Sequence, residues 1–370
     1  MSSVTREFVS LVSATGARNG AGFNPCQGLY FQPADKRAST AFIATHYNVD
    51  FSEHYLGEYL ALRGFGFLGW NTRFRGNEAF FLLEHALIDI GAGVEWLRQQ
   101  GVEHIVLIGN SGGGSLMAAY QSQASSPNIK PTHDLKLPEA CLSLPQADGY
   151  ISLNAHGGRP EVLTAWMDPS VVDEADPSSI DESLNMYNPE HGPPYDEGFI
   201  EKYRSAQFAR NERITDWVLE ELDRLKPLGM SDRAFMMSRT WADLRLMDGS
   251  IDPSDRPVGV CYAGDPKRAN FSPRGIGLTN TLRTWLSMWS LRTSECSGEK
   301  HLGNVVVPSL VIQSTGDTGV FPSDAEQIYA HIGTQEKEIQ FMRGDHYLTE
   351  PEGARDEVAD MISAWTQQKF

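Results

Sequence analysis

The segment His104–Ile108 (HIVLI) constrains the fold of this chain more than any other. It is almost continuously apolar, which is typical of a strand covered on both faces, as in a parallel sheet between two layers of helices. The amphipathic segment Ala79–Gln100 precedes it, and a second helical segment, Ser115–Ser122, follows it. This alternation of strands and helices predicts an α/β fold, with a mostly parallel sheet flanked by helices.

Similar patterns occur towards both ends of the chain. The other predicted strands are Glu7–Ser13, Gly28–Gln32, Thr40–Thr45, Phe65–Trp70, Tyr150–Leu153, Val305–Gln313 and Glu338–Met342. The other predicted helices of these regions are Phe51–Arg63, Asp324–His331 and Arg355–Lys369. We therefore expect residues 1–155 and 304–370 to form one α/β core.

Residues 156–303 differ from both ends, because Pro- and Asp-rich loops alternate there with helical stretches such as Phe199–Leu225 and Leu278–Ser290. The segment interrupts the series of strands, so we predict an inserted, mainly helical cap over the carboxyl edge of the sheet, where open α/β sheets bind ligands. Its large apolar side chains either line a pocket or form the small core of the cap itself. These side chains are Trp166, Trp217, Trp241, Trp285, Trp289, Met236 and Met237.

The chain carries a large excess of acidic residues. Its 370 residues include 31 Lys and Arg against 48 Asp and Glu, a formal net charge of −17. So acidic a surface repels phosphate backbones and anionic lipid, so nucleic acid is not an expected partner. The scattered cations Arg204, Arg210, Arg213 and Arg283 lie in helical stretches rich in Glu and Asp, and we expect them to form pairs on solvated faces.

The sequence also bears on location and cofactors. No stretch approaches the ~20 apolar residues of a membrane helix, and residues 1–16 lack the apolar core of a signal peptide, so we expect a cytoplasmic protein with no membrane contact.

The four cysteines, Cys26, Cys141, Cys261 and Cys296, form no CxxC pair. Free buried thiols are therefore expected rather than disulfides or a zinc site. No metal or other cofactor is expected, and the oligomeric state stays open, with a homodimer as one option.

A glycine-rich turn follows the central strand. Gly109–Gly113 (GNSGG) matches G-x-S-x-G between a predicted strand and a predicted helix. In such a turn the central serine adopts a strained backbone conformation, and glycines two residues to either side avoid collisions with the strand and the helix. No lysine follows to make a phosphate-binding loop, and G-x-G-x-x-G is absent. The pattern predicts that Ser111 is a nucleophile and that the Gly112 N–H stabilises an oxyanion.

With this motif in this position, the sequence resembles the α/β-hydrolase superfamily, as a serine esterase-like member with a large inserted helical cap. That superfamily orders its triad as Ser, acid and His. The segment Gly316–Pro322 (GDTGVFP) is similar to its acid turn, and Phe341–Tyr347 (FMRGDHY) is similar to its histidine loop. The resemblance implies the triad Ser111, Asp317 and His346.

The sequence offers more than one residue for some of the site roles. Asp265 also follows an apolar run and is an alternative acid, although it lies within the expected cap. The resemblance places a second oxyanion donor in the loop Thr45–Asn48 (THYN), as the backbone N–H of Asn48 or Tyr47, with Tyr47 standing where that family has glycine. Asn110, His156 and Trp166 are the candidate substrate-binding residues, with His156 in a hinge that leads into the cap.

The resemblance implies a serine hydrolase that acts through an acyl-enzyme intermediate. Trp and Met residues are frequent in the expected cap, so the expected substrate is a carboxylic ester of a small, neutral, apolar or aromatic molecule. Cleavage of a lactone, an amide or a C–C bond would use the same residues and remains an alternative. A binding protein that has the fold but performs no turnover is a further alternative.

Overall fold

The computed structural model describes residues 3–16 and 22–370. Its strands are β1 (Val4–Leu11), β2 (Cys26–Pro33), β3 (Thr40–Ala44), β4 (Gly66–Asn71), β5 (His104–Asn110), β6 (Gly149–Leu153), β7 (Ala234–Met236), β8 (Thr279–Thr281), β9 (Ser309–Ser314) and β10 (Lys337–Met342). Eight of them form one sheet in the order β1-β2-β4-β3-β5-β6-β9-β10. The six strands from β4 to β10 in that order are parallel, and β2 is antiparallel to both of its neighbours. The predicted α/β fold is confirmed.

The helices cover both faces of this sheet. They are α1 (Leu56–Leu62), α2 (Leu83–Gln99), α3 (Gly113–Ser125), α4 (Arg159–Trp166), α5 (Glu197–Leu225), α6 (Pro266–Asn270), α7 (Leu282–Thr284), α8 (Glu299–Leu302), α9 (Pro322–His331) and α10 (Ala354–Lys369). Apolar residues of α1 and α10 pack on one face, and those of α2, α3 and α9 pack on the other. In the described part of the chain no helix combines the length and the apolar character needed to cross a membrane.

The central strand β5 behaves as its sequence predicts. Ile105 and Leu107 point into the core on the α2 and α3 face, whereas Val106 and Ile108 point into the core on the α1 and α10 face. All four side chains are fully buried. Because β5 pairs in parallel with β3 and β6, its carboxyl end opens at the same edge as theirs.

Several predicted elements have different bounds in the structure, and three of these differences have a visible local cause or a different secondary structure. The helix expected over Phe51–Arg63 begins only at Leu56, because residues 51–55 form turns in which the Phe51 N–H donates to Asn71 Oδ1 (2.8 Å). The segment expected as a helix over Leu278–Ser290 starts instead as β8, paired with β7, and continues as α7 and one π-helical turn. The strand expected from Val305 begins only at Ser309, after Pro308.

Residues 156–303 connect β6 to β9 and contain α4 to α8 and the small β7–β8 sheet. The two ends of this segment are hydrogen-bonded to each other: the Gly298 N–H donates to the Gly157 carbonyl (2.7 Å), and Gly158 forms a β-bridge with Ser297. We call this pair of contacts the clasp. The inserted segment therefore leaves the sheet and returns to it at the same place, the clasp.

The large apolar side chains of the inserted segment mostly form core. Trp285, Trp289 and Met237 are buried in the same cluster as the α2 and α3 face of the sheet, and Trp166 stacks on Trp241 in a separate cluster (ring centroids 4.7 Å apart). The remaining two of the seven predicted residues, Trp217 and Met236, are exposed in part or largely. The core interpretation is therefore the better one for most of this set.

Two expectations about single side chains have opposite outcomes. All four cysteines are buried and free, as expected. The solvated pairing expected for Arg210 is wrong, because its fully buried guanidinium binds Glu174 (2.6 Å) and the carbonyl oxygens of Asp168 and Ser238. A guanidinium has five donors, and this one is buried with carboxylate and carbonyl partners that satisfy them.

Candidate active site

Ser111 occupies a sharp turn at the carboxyl end of β5. Its φ is +57°, a left-handed conformation that is uncommon for a residue with a side chain, and its N–H is held by the Leu153 carbonyl (3.1 Å) at the end of β6. A β-carbon on Gly109 would lie 2.5 Å from the Gly114 Cα, and one on Gly113 would collide with the Thr45 carbonyl oxygen. At Gly109 the obstacle is the helix that follows Ser111, as the motif predicts, whereas at Gly113 it is the chain just after β3.

His346 lies next to this serine. It belongs to the loop after β10, and its Nε2 is 3.1 Å from Ser111 Oγ. Its Nδ1 is 2.6 Å from Asp317 Oδ2, and Asp317 lies in the turn after β9. The other oxygen of Asp317 accepts the N–H groups of Gly319 (2.9 Å) and Val320 (3.1 Å). Three parallel strands therefore bring together three side chains that are far apart in the sequence.

Tyr262 is a contact that the sequence reasoning missed. Its hydroxyl donates to Asp317 Oδ1 (2.8 Å) and lies 2.9 Å from His346 Nδ1. Its ring lies against the imidazole, with centroids 4.4 Å apart. Because Tyr262 belongs to the inserted segment, that segment touches the His–Asp pair directly.

The alternative acid lies elsewhere in the structure. The Asp265 carboxylate accepts the Arg268 N–H (2.8 Å) at the N-terminus of α6, and its side chain is exposed. This is an ordinary helix cap. The structure places Asp317, and not Asp265, against His346.

The three candidate substrate-binding residues have different surroundings. The Asn110 amide is committed to the protein: its Oδ1 accepts from His54 Nε2 (3.1 Å) and its Nδ2 donates to the Leu153 carbonyl (2.9 Å). Trp166 is buried, with its ring 6.0 Å from that of Tyr262. His156 lines a cavity of about 230 Å³ between α4 and α9, and Ser111 is not among the residues that line it. The Nδ1 of His156 is buried with no partner among the described residues.

The three expected oxyanion residues differ in what their polar groups contact. Gly112 immediately precedes this helix, so its N–H is close to the positive end of the helix dipole. The Asn48 N–H, however, is directed at the His46 imidazole of its own loop (3.4 Å to Nδ1). The Tyr47 side chain is fully buried and its hydroxyl pairs with Ser115 Oγ (3.0 Å).

Two further side chains, His46 and Arg159, reach Gly112. A β-carbon on Gly112 would lie 2.7 Å from His46 Nε2 and 3.0 Å from Arg159 Nη1. Burial, together with the nearby Arg159 charge, holds the pKa of His46 well below its usual value, so the imidazole is neutral near pH 7. The pKa of His156 is lowered for the same reasons. In the sequence, the position of His46 shortly after β3 was the one feature that indicated a place near Ser111. No feature of the sequence indicated such a place for Arg159.

Metal chemistry has no evident donor set here. In the part of the chain that the structure describes, no group of three or more His, Cys, Asp or Glu side chains is arranged to hold a metal ion.

Comparison with known proteins supports the architecture. The chain matches no family model and no curated protein sequence. Among solved structures it is similar to the α/β-hydrolase GrgF from Penicillium sp. sh18, with 11% identity, 99% of each chain covered and a TM-score of 0.53. It is also similar to DcsB, solved in complex with its substrate analogue, with 12% identity, 99% of each chain covered and a TM-score of 0.52. With this sheet order and these neighbours, the chain has the α/β-hydrolase fold.

Proposed function

We propose that this protein is a serine hydrolase that cleaves carboxylic esters through an acyl-enzyme. The observation that carries the proposal is a pair of linked hydrogen bonds. Ser111 Oγ lies 3.1 Å from His346 Nε2, and His346 Nδ1 lies 2.6 Å from Asp317 Oδ2. A nucleophile within reach of a base, and a base oriented by a carboxylate, are the parts that acyl transfer needs. The φ of +57° at Ser111 supports it, because strained backbone of this kind is concentrated at functional sites.

The reaction follows from these positions. His346 Nε2 accepts the Ser111 proton while Oγ forms a bond to the carbonyl carbon of the ester, and Asp317 stabilises the imidazolium. The carbonyl oxygen becomes an oxyanion next to the Gly112 N–H and the positive end of α3. As the C–O bond to the alcohol breaks, His346 returns the proton to that alcohol. Water, deprotonated by the same imidazole, then attacks the acyl-enzyme. The bond from the acyl carbon to Oγ breaks, His346 returns the proton to Ser111 Oγ, and the carboxylic acid is released.

We assign the inserted segment, residues 156–303, the role of a cap over a core made of residues 1–155 and 304–370. The contact of Tyr262 with Asp317 and His346 supports this role, because it brings a side chain of the segment over the base. The half-exposed Tyr347 ring packs against both Tyr262 and His346 at the same place. Aromatic surface of this kind favours a small, neutral, apolar or aromatic ester.

The proposal is tested with an active-site label and a substrate panel. A fluorophosphonate probe should label the wild type and not Ser111→Ala, whereas Ser125→Ala, at the far end of α3, should be labelled like the wild type. p-Nitrophenyl esters of rising chain length, assayed beside lactones and amides, then show which bond is cleaved. A wild type that takes no label, or a Ser111→Ala variant that keeps most of the turnover, would refute the proposal.

A further inference from the structure

The His46 side chain has a defined proton position. Its Nδ1 faces the backbone N–H groups of Asn48 and Val49, each at 3.4 Å. A ring nitrogen that accepts hydrogen bonds carries no proton, so the proton of the neutral imidazole is on Nε2. Nε2 is therefore a donor, and it is the atom that lies next to Gly112.

Arg159 presents a second donor at the same place. Its Nη2 is bound to Glu78 Oε1 (2.6 Å), and its guanidinium lies over the rings of Tyr47 (4.9 Å) and Trp289 (4.5 Å). The residue is only 2% exposed, so these contacts hold it in one orientation. Its Nη1 donates to no residue that the structure describes and lies next to Gly112.

Neither donor has a hydrogen-bond partner among the described residues, so both can donate to a ligand group that reaches this place. His46 Nε2 and Arg159 Nη1 both lie within about 3 Å of one point beside the residue that follows Ser111. Gly112 leaves that point open, because a β-carbon there would collide with His46 Nε2 (2.7 Å) and crowd Arg159 Nη1 (3.0 Å). The glycine at this position thus has a role beyond the shape of the turn.

The charge around this point is balanced. Glu78 neutralises Arg159 at 2.6 Å, and His46 is neutral. A permanently anionic group would gain little net attraction here, whereas an oxygen that becomes charged only during the reaction would gain most from fixed donors.

We propose that His46 Nε2–H and Arg159 Nη1–H donate to the oxyanion together with the Gly112 N–H. The inference rests on the proposed serine hydrolase function. It replaces the Asn48 amide, which is directed at His46 Nδ1, with a side-chain donor. Because these hydrogen bonds strengthen as charge develops on the oxygen, their loss should lower kcat more than it raises KM.

The test compares variants at His46 that keep or lose the donor. His46→Leu removes it, and His46→Asn places an amide only near the Nδ1 position, whereas His46→Gln can place its Nε2 near that of the imidazole. We expect kcat on a p-nitrophenyl ester to fall by about 10²–10³-fold in the first two variants, the loss typical of one oxyanion donor. We expect KM to change little, affinity for a trifluoromethyl ketone to fall in parallel with kcat, and His46→Gln to recover most of both.

The control is His301→Leu, at a buried histidine that binds the Glu295 carbonyl (2.8 Å) and is not among the residues around Ser111. It should keep kcat, with thermal unfolding used to compare the stability of all variants. A folded His46→Leu or His46→Asn variant with wild-type kcat, or with a change confined to KM, would overturn the inference. In both cases fluorophosphonate labelling of Ser111 would leave the hydrolase proposal standing, whereas a wild type that takes no label would overturn both.

Discussion

Removal of the Tyr262 hydroxyl tests how the inserted segment supports the His–Asp pair. Tyr262→Phe deletes the 2.8 Å hydrogen bond to Asp317 Oδ1 and keeps the ring that lies against His346. Asp317 Oδ1 retains the N–H groups of Gly319 and Val320, and Oδ2 retains His346. The carboxylate therefore loses one of four donors.

The size of the effect follows from that count. A hydrogen bond to a charged group contributes about 1.5–3 kcal/mol. Because three donors still solvate the carboxylate, we expect the free energy of unfolding to fall by an amount near the lower end of that range, about 1–2 kcal/mol. The ground state and the transition state both contain the charged carboxylate, so kcat should fall by less than about tenfold, which corresponds to 1.4 kcal/mol.

The assay combines urea unfolding with kcat and KM measured on a neutral ester. Tyr187→Phe is the matched control, because it deletes a buried hydroxyl bound to the Trp241 carbonyl (2.6 Å) within the same segment and leaves the His–Asp pair untouched. It should lose similar stability with an unchanged kcat. A thousandfold loss of kcat in Tyr262→Phe would refute the reasoning, because the phenol would then take part in the chemistry itself.

Three further outcomes are expected. Asp317→Asn should lower kcat by about 10⁴-fold, because it holds the imidazole in the wrong tautomer, whereas Asp265→Asn should lower only stability. Steady-state kinetics of both variants tests this, and the reverse pattern would identify Asp265 as the acid of the triad. Burial lowers the pKa of His54 to about 4, so unfolding free energy should fall by about 3 kcal/mol at this residue alone as the pH drops from 6.5 to 4. His54→Gln should flatten that part of the urea-unfolding curve against pH, and an unchanged slope would contradict the assignment. An ester with a free carboxylate should react more slowly than its methyl analogue at low salt, because the net charge of −17 repels it. Added salt should reduce this difference in rate. A faster reaction of the anionic ester would contradict the proposal that the substrate is neutral.

The parts that sequence reasoning predicted well are those set by local pattern. The apolar run of β5 requires cover on both faces, and the glycines at 109 and 113 are required where Ser111 turns sharply. Asp317 and His346 were predicted from the resemblance of the loops after two late strands to the acid turn and histidine loop of the α/β-hydrolase superfamily. In the structure both loops lie near the end of β5, because parallel strands end at one edge of the sheet.

The parts that it missed depend on contacts between distant segments. Arg159 has the same sequence appearance as a solvated arginine, and its burial results from Glu78, Tyr47 and Trp289, which no local pattern relates to it. Tyr262 follows an irregular stretch, so its approach to Asp317 had no periodic signal. The early start predicted for the helix at Phe51 failed because the side chain of Asn71, on the neighbouring strand, accepts the Phe51 N–H.

The clasp at Gly157 and Gly298 has a consequence for how such a protein diversifies. An insertion whose two ends are one hydrogen bond apart can vary in length at small cost, because the entropy of closing a loop grows only slowly with the number of residues in it. Lineages could therefore exchange the whole segment, and with it substrate range, without shifting the strands that hold Ser111. The exchange has one condition, because Arg159 and Tyr262 belong to the segment. A replacement segment must contain residues that make the same contacts as these two, or the site around Ser111 must be stabilised by other residues.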